Sequence, residues 1–505
     1  MIIPRPTDLT ELPGRFVIGP TLHMAAGPGA EPAADLLASY LGPDRPRSDD
    51  GSVIRLQLDA SLKLSLGTEG YRLEIRSGRV QLTAAGQPGL LNGVQTLRQL
   101  LPPAALDPAT APPDAWWWPC ASIHDRPRLA WRGLLMDTAR HFMPLDHLYR
   151  TVDRLALHKL NVLHLHLTDD QGWRIEIDGW PRLTEIGAWR TRPDSHIRDG
   201  GYYTARELRD LVDYAAARAV TVVPEIEMPG HARAALAAYP QLGSRPGEHQ
   251  PVWNQWGISE DIFGVDDHVL DFFHQVLDAT MEIFPSRYVH IGGDECPTTA
   301  WENSHAARQR AAALGLADVA GLHGWFLGQL HAHLTAAGRR TMSWDETGHN
   351  PARMPLGMTL TAWRDATHGA AAVTRGHQVV MAPHTSTYLD YPQSDSPDEP
   401  PGQPNGIVTL ETVHAFNALA GGLPTADPST DTAGVLGVQA QLWTEYVPTP
   451  EHADYLTYPR LCALAENAWS SYRTPFTEFL TRLRPHLDRL RVLRAVPTQP
   501  AVATH

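Results

Sequence analysis

From residue 131 onward the chain keeps one rhythm: a short apolar run, then a stretch with helical periodicity, eight times over. The runs are 131–137 (WRGLLMD), 161–167 (NVLHLHL), 221–227 (TVVPEIE), 288–294 (YVHIGGD), 340–346 (RTMSWDE), 359–364 (TLTAWR), 378–383 (QVVMAP) and 434–443 (GVLGVQAQLW). Short, nearly continuous apolar runs are the pattern of strands buried on both faces, as in a parallel sheet covered by helices. Helical stretches fit between most of them. In the clearest, 205–219, Thr204 and Glu207 predict a T-x-x-E capping box, and Leu208, Leu211, Val212 and Ala215 form the apolar stripe. Eight strands alternating with helices predict an α/β fold, a (β/α)8 barrel with insertions.

The first 125 residues read differently. Strands are predicted at 53–58, 71–75 and 79–83, the last two joined by a hairpin turn at Ser77-Gly78. A helix is predicted at 89–101, where Leu91, Val94, Leu97 and Leu101 recur near helical spacing. The proline-rich stretch 102–118 reads as a loop, with Trp116–Trp118 packing an interdomain surface. The expected organisation is a small α+β domain with an antiparallel sheet at 1–125, the barrel at 126–495 and a tail at 496–505. A chain of 505 residues is long enough for one large and one small domain.

Composition narrows the partners. Lys and Arg number 42 against 56 Asp and Glu, a net charge of −14. That balance argues against nucleic acid and anionic membrane surfaces. Cys120, Cys296 and Cys462 are few, odd in number and widely spaced, which argues against a disulfide framework or a cysteine zinc site. The segment MIIPRPTDLTELPG shows no secretory h-region, and no apolar run reaches the roughly 18 residues of a spanning helix. A cytoplasmic location is the expectation.

In a (β/α)8 barrel, chemistry sits at the C-terminal ends of the strands. Those ends here carry Asp137 and Arg140, Asp169 and Asp170, Glu227 and His231, Asp294 and Glu295, Trp344, Trp363, Tyr388 and Asp390, and Trp443 and Glu445. The sharpest feature is HIGGDE, 290–295. Neighbours on a strand point to opposite faces, so both carboxylates serve one site only if the strand ends there and the chain turns at Gly292-Gly293. Two carboxylates in a partly dry cleft push their pKa values apart, one set for acid catalysis and one for charge stabilisation. A helix N-terminus with acidic first-turn residues is the plainer alternative. His164 and His166 share a strand face and offer a second reading, a metal-dependent barrel hydrolase; packed, hydrogen-bonded histidines are its alternative. Of the 15 tryptophans, Trp344, Trp363 and Trp443 fall at strand ends, where rings suit the apolar faces of a sugar or an acyl group.

With these residues in view, the chain resembles the family 20 glycoside hydrolases, the β-N-acetylhexosaminidases. The resemblance rests on WRGLLMDTARHFMP (131–144), KLNVLHLHLTDDQGWRIEI (159–177), PEIEMPGH (224–231), YVHIGGDE (288–295), SWDE (343–346), TAWR (361–364), YLDYPQ (388–393) and QAQLWTEYV (439–447), and on GVQTLRQLLP (93–102) for a small N-terminal domain. It implies removal of terminal β-linked N-acetylglucosamine or N-acetylgalactosamine with retention, the substrate's own acetamido group acting as nucleophile. Glu295 is implied as general acid and base. Asp294 would orient the acetamido group, and Tyr388 would hydrogen-bond its oxygen. Trp344, Trp363 and Trp443 would form the acetamide pocket. Arg140 would grip the sugar O3 and O4, Asp390 and Glu445 would bind O4 and O6, and Asp169 with His231 would support the acid. No cofactor or metal is implied. One departure is expected to matter: the loop 392–406, PQSDSPDEPPGQPNG, carries no aromatic residue where the family often has a tryptophan. A sugar-binding barrel without catalysis is the remaining alternative.

Overall fold

The structure is a computed structural model describing residues 2–19, 23–42, 54–107, 116–192, 197–346, 354–404 and 406–496. The predicted tail lies almost wholly outside the described residues. Eight parallel strands close into a barrel: β1 (Trp131–Asp137), β2 (Val162–His166), β3 (Thr221–Glu225), β4 (Tyr288–His290), β5 (Arg340–Trp344), β6 (Thr359–Ala362), β7 (Gln378–Met381) and β8 (Gly434–Leu442), with β8 pairing back to β1. All eight predicted runs are strands, most of them ending short of the predicted limit. The trimmed residues, such as Gly292–Asp294 and Asp345-Glu346, leave the ladder and become the loops that carry polar groups.

Side chains fill the barrel in layers. Trp131, Val162, Val223, Tyr288, Met342, Val380 and Leu436 form an apolar plug low in the barrel. The layer above it is polar and buried: His164, Glu225, His290, Thr361 and Gln439. Outside the strands lies the main apolar core. Helix Leu145–Leu157 buries Leu148, Val152 and Leu155 there, and helix Ala205–Ala216 buries Leu208, Leu211, Val212 and Ala215. The predicted capping box is present, with Thr204 Oγ1 accepting from Glu207 N and the Glu207 carboxylate accepting from Thr204 N.

The N-terminal sheet has six strands in the order Asp8–Ile18, Trp116–Asp125, Tyr71–Arg76, Arg79–Ala84, Ile54–Leu58, Met24–Ala26. Three of its pairs are antiparallel and two are parallel. The hairpin at Ser77-Gly78 forms as predicted. Trp116–Trp118 corrects the sequence reading. These residues open a strand rather than closing a loop. Trp116 and Trp118 face the small domain's own core, Trp118 stacking on Phe16, and Trp117 is exposed. The surface between sheet and barrel is instead pinned by charge. Lys159 Nζ, fully buried, donates to Asp125 Oδ2 (2.8 Å) and Tyr71 Oη (2.9 Å), and Trp469 Nε1 donates to Asp125 Oδ1 (2.9 Å).

Candidate active site

The strand ends frame a cavity of about 580 Å³. The eleven residues to which the family resemblance gives a role all line it: Arg140, Asp169, His231, Asp294, Glu295, Trp344, Trp363, Tyr388, Asp390, Trp443 and Glu445.

The carboxylate pair is presented by a turn. β4 stops at His290, and Gly292 (φ 59°), Gly293 (φ 92°) and Glu295 (φ 46°) all occupy positive φ. The turn is fixed from three sides. Gly292 N donates to His290 Nδ1 (3.0 Å), and Gly292 O accepts from Trp344 N (2.9 Å) and Ser343 Oγ (2.6 Å). Only a chain without Cβ fits at 292, because an added Cβ would stand 1.7 Å from Glu227 Oε2. No helix starts at Asp294-Glu295, so the helix-cap alternative does not hold.

Arg140, just after β1, is held by a set of acceptors. Its Nη2 meets Asp169 Oδ2 (2.8 Å), its Nη1 meets Asp137 Oδ2 (3.2 Å), and its Nε donates to Gln171 Oε1 (3.2 Å). Its guanidinium lies 5.0 Å from the Trp443 ring centroid. Trp344 and Trp443 stand 5.7 Å apart at 48°, with Tyr388 6.3 Å from Trp443. Trp344 is almost fully buried, and its Nε1 donates to Glu225 Oε1 (2.7 Å); Trp363 Nε1 donates to Glu346 Oε1 (3.3 Å). Asp390 is buried, and neither of its oxygens has a side-chain partner among the described residues. A buried carboxylate in that state is set to take hydroxyl donors from a ligand.

His231 Nδ1 lies 3.1 Å from Asp169 Oδ1, and its Nε2 lies 3.6 Å from Glu295 Oε2 and 3.9 Å from Asp294 Oδ2. Burial disfavours a charged His231, but Asp169, Asp170 and Glu295 outweigh it and hold its pKa well above the ordinary value. Burial, helped by the charge of Glu295, pushes Asp294 up to about 7 against the pull of His231. Burial also works to raise Glu295, yet His231 and Arg140 bring its carboxyl below the usual range. The two acids are therefore separated in proton affinity, as their adjacency requires.

Residues 129–472 match the model of the glycosyl hydrolase family 20 catalytic domain, and residues 1–126 match that family's domain 2. The chain belongs to glycoside hydrolase family 20. It is 38% identical to a β-hexosaminidase of Porphyromonas gingivalis, over 95% of this chain and 62% of that protein's length. It is 33% identical to a β-hexosaminidase of Vibrio furnissii, over 92% of this chain and 76% of that one. Among solved structures it is similar to the exo-β-N-acetylglucosaminidase of Vibrio harveyi in complex with N-acetylglucosamine (TM-score 0.88, 29% identity, 99% of this chain and 78% of that chain). It is also similar to a mutant β-hexosaminidase of Streptomyces plicatus in complex with product (TM-score 0.84, 32% identity, 99% and 97%).

Within this family 20 chain, His164 and His166 do share a face, but three of their four nitrogens are spent on hydrogen bonds of an internal network. His166 Nδ1 meets Glu225 Oε2 (2.6 Å) and its Nε2 meets Asp169 Oδ2 (2.8 Å). His164 Nδ1 lies 3.0 Å from Gln439 Nε2, and its Nε2 lies 3.2 Å from Glu225 Oε2. The groups His164–Glu225–His290 and His166–Glu225–Glu227 have the residue types of a metal shell. However, both nitrogens of His166 are already bonded to carboxylates, so the metal reading of this pair is not favoured.

Other residues of the cavity escaped the sequence reading. Trp256 and Ile258 come from the long segment after β3, far from any strand end, and Tyr391, Gln403 and Pro404 come from beyond β7. The loop without an aromatic is tied down by Glu399, which accepts from Gln393 N (2.9 Å), Ser394 Oγ (2.7 Å) and Tyr455 Oη (3.1 Å). Alternation could have found Glu225: it is two residues from Glu227 and pairs in register with His166.

Proposed function

We propose that the protein is a retaining, exo-acting β-N-acetylhexosaminidase. It removes terminal non-reducing β-linked N-acetylglucosamine or N-acetylgalactosamine through an oxazolinium intermediate. The observation that carries this reading is the meeting, in one cavity, of the Asp294-Glu295 pair with Trp344, Trp363, Trp443 and Tyr388. The names of the relatives, β-hexosaminidases and an exo-β-N-acetylglucosaminidase seen with N-acetylglucosamine, support the substrate class.

In this mechanism Arg140, Asp390 and Glu445 hold the sugar hydroxyls, and the tryptophans clasp the acetamido methyl. The acetamido oxygen, placed by Tyr388, attacks the anomeric carbon. The glycosidic bond breaks, and the Glu295 proton goes to the departing oxygen. Asp294 accepts the acetamido N–H and offsets the positive charge on the oxazolinium ring. Glu295 then takes a proton from water as that water attacks the anomeric carbon, which restores the acetamide and the acid. An intramolecular nucleophile already in place is worth on the order of 7–11 kcal/mol. The reaction needs Asp294 ionised and Glu295 protonated, the reverse of their separate preferences. The charge of each acid acts on the other, so their protonation is a property of the pair. The substrate's N–H, donating to Asp294, favours the ionised form there and shifts the proton toward Glu295.

The test is hydrolysis of 4-nitrophenyl N-acetyl-β-glucosaminide and -galactosaminide, with the first-formed anomer read by NMR. The β-anomer is expected first. Glu295→Gln should nearly abolish turnover of an unactivated disaccharide, and Asp294→Asn should cost at least about 10²-fold. Release of the α-anomer, or wild-type rates in both variants, overturns the assignment.

A further inference from the structure

Both ring nitrogens of His166 face carboxylates, Glu225 Oε2 at 2.6 Å and Asp169 Oδ2 at 2.8 Å. An imidazole that donates from both nitrogens is an imidazolium. The chain of contacts continues in both directions. Outward, Asp169 Oδ1 meets His231 Nδ1 at 3.1 Å, and His231 Nε2 lies 3.6 Å from Glu295 Oε2. Inward, the other oxygen of Glu225 accepts from Trp344 Nε1 (2.7 Å) and meets His290 Nδ1 (2.8 Å). Three carboxylates and two imidazoles thus alternate from a tryptophan of the cavity wall to the acid at its rim. His166 is the link at which the two ends join, and it also lines the cavity, edge-on to Trp443 with centroids 4.9 Å apart.

We propose that His166 is a positioning residue for proton donation. It fixes Asp169, and through His231 the carboxyl of Glu295, in register with the Trp344 wall. The inference rests on the hexosaminidase reading and extends it below the floor of the cavity. Charge supports it. The groups facing His166 are Glu225 and Glu227 on and after β3, Asp137 on β1, Asp169 after β2 and His164 on its own strand. The negative groups outnumber His164, which burial lowers to about 4 and so keeps neutral. Burial opposes the charge on His166, but Glu225 and Asp169 raise its pKa to about 10. Asp169 is in turn shared with Arg140. Without His166 it would keep its charge but lose one of the two donors on Oδ2, leaving Arg140 alone to orient that oxygen.

A residue that acts through the general acid matters most when the leaving group needs a proton. The experiment compares wild type, His166→Gln and His166→Asn on two substrates, a β-1,4-linked N-acetylglucosamine disaccharide and the 2,4-dinitrophenyl glycoside. On the disaccharide, kcat is expected to fall by about 10²-fold, a share of the 10²–10⁴ that a positioned acid supplies. The loss on the activated glycoside should be at least tenfold smaller. Removing one positive charge should also move the alkaline limb of kcat/KM to higher pH. Equal losses on both substrates, or an unmoved limb, overturn the proposal. If neither variant folds, the wild-type ¹⁵N-histidine spectrum decides. At pH 8 it should show a charged imidazole in the folded protein that is hydrogen-bonded at both nitrogens and resists deprotonation, and its absence overturns the proposal. Failure of the wild type to hydrolyse either substrate would strike the hexosaminidase reading instead.

Discussion

Gly292→Ala places a methyl group where the carboxylate of Glu227 already sits. The added Cβ would lie 1.7 Å from Oε2, 2.2 Å from Cδ and 2.6 Å from Oε1, against an ordinary contact of at least 3.4 Å. One side must therefore give by about 1.7 Å. The glycine cannot easily be that side, since its N–H and its carbonyl are held by His290, Trp344 and Ser343. Glu227 is buried among the strand ends, with its own N–H donating to Thr168 Oγ1 (2.8 Å). Forcing it aside is an overpacking cost of about 1–3 kcal/mol. Positive φ at an alanine adds roughly 1–2 kcal/mol. The expected destabilisation is about 2–5 kcal/mol in urea unfolding. The turn also carries Asp294 and Glu295, and a displacement of about 1 Å at reacting groups costs about 10²-fold in kcat. The double variant Gly292→Ala/Glu227→Ala removes the obstructing atoms. It should be more stable than the two single effects predict, by about 1–3 kcal/mol of coupling. Near wild-type kcat in Gly292→Ala, or strict additivity in the double variant, refutes this account of the turn.

Stability should fall on both sides of neutrality. Burial lowers His164 and His158 to about 4 and His147 to about 3 in the folded protein. The stability tied to their neutral forms is complete above about pH 6.5 and is lost as pH falls from there to these values, on the order of 3 kcal/mol or more for each histidine. His166, raised to about 10, behaves oppositely: its contribution is complete below about 6.5 and is lost as pH rises through 10. A Tm that stays flat from pH 6.5 to 4.5 contradicts this. Lys159→Met leaves Asp125 buried without its ammonium partner, and should cost about 3–5 kcal/mol in chemical unfolding. Its effect on KM should be small, since the pair lies between sheet and barrel. Unchanged stability would remove Lys159 from the list of interdomain contacts that matter.

The barrel was legible because its strands are buried on both faces, so each appears as an unbroken apolar run. The small domain was less so. Asp8–Ile18 contains a proline and a register shift between Glu11 and Arg15, and most of it is exposed, which hides any alternation. Trp116–Asp125 follows a proline-rich stretch and was masked by it, although its aromatic and β-branched residues suit a strand. In the site, residues at strand ends could be read off because barrel geometry says where to look. Glu225 lies one step inside β3 and its partners come from β2, β4 and β5, so its role depends on register, which no single segment states. Trp256 reaches the cavity from a segment with no periodicity, so nothing local marks it.

The central claim is that the substrate's acetamido oxygen is the nucleophile and that Asp294 and Glu295 serve it. Its most direct measurement is kcat/KM for 4-nitrophenyl β-glucosaminides whose N-acetyl group carries none, one, two or three fluorines. Each fluorine weakens the carbonyl oxygen as a nucleophile and leaves the leaving group unchanged. The account predicts a steep fall along the series, by orders of magnitude in total. A flat series would mean that a protein group attacks the anomeric carbon, and would contradict it.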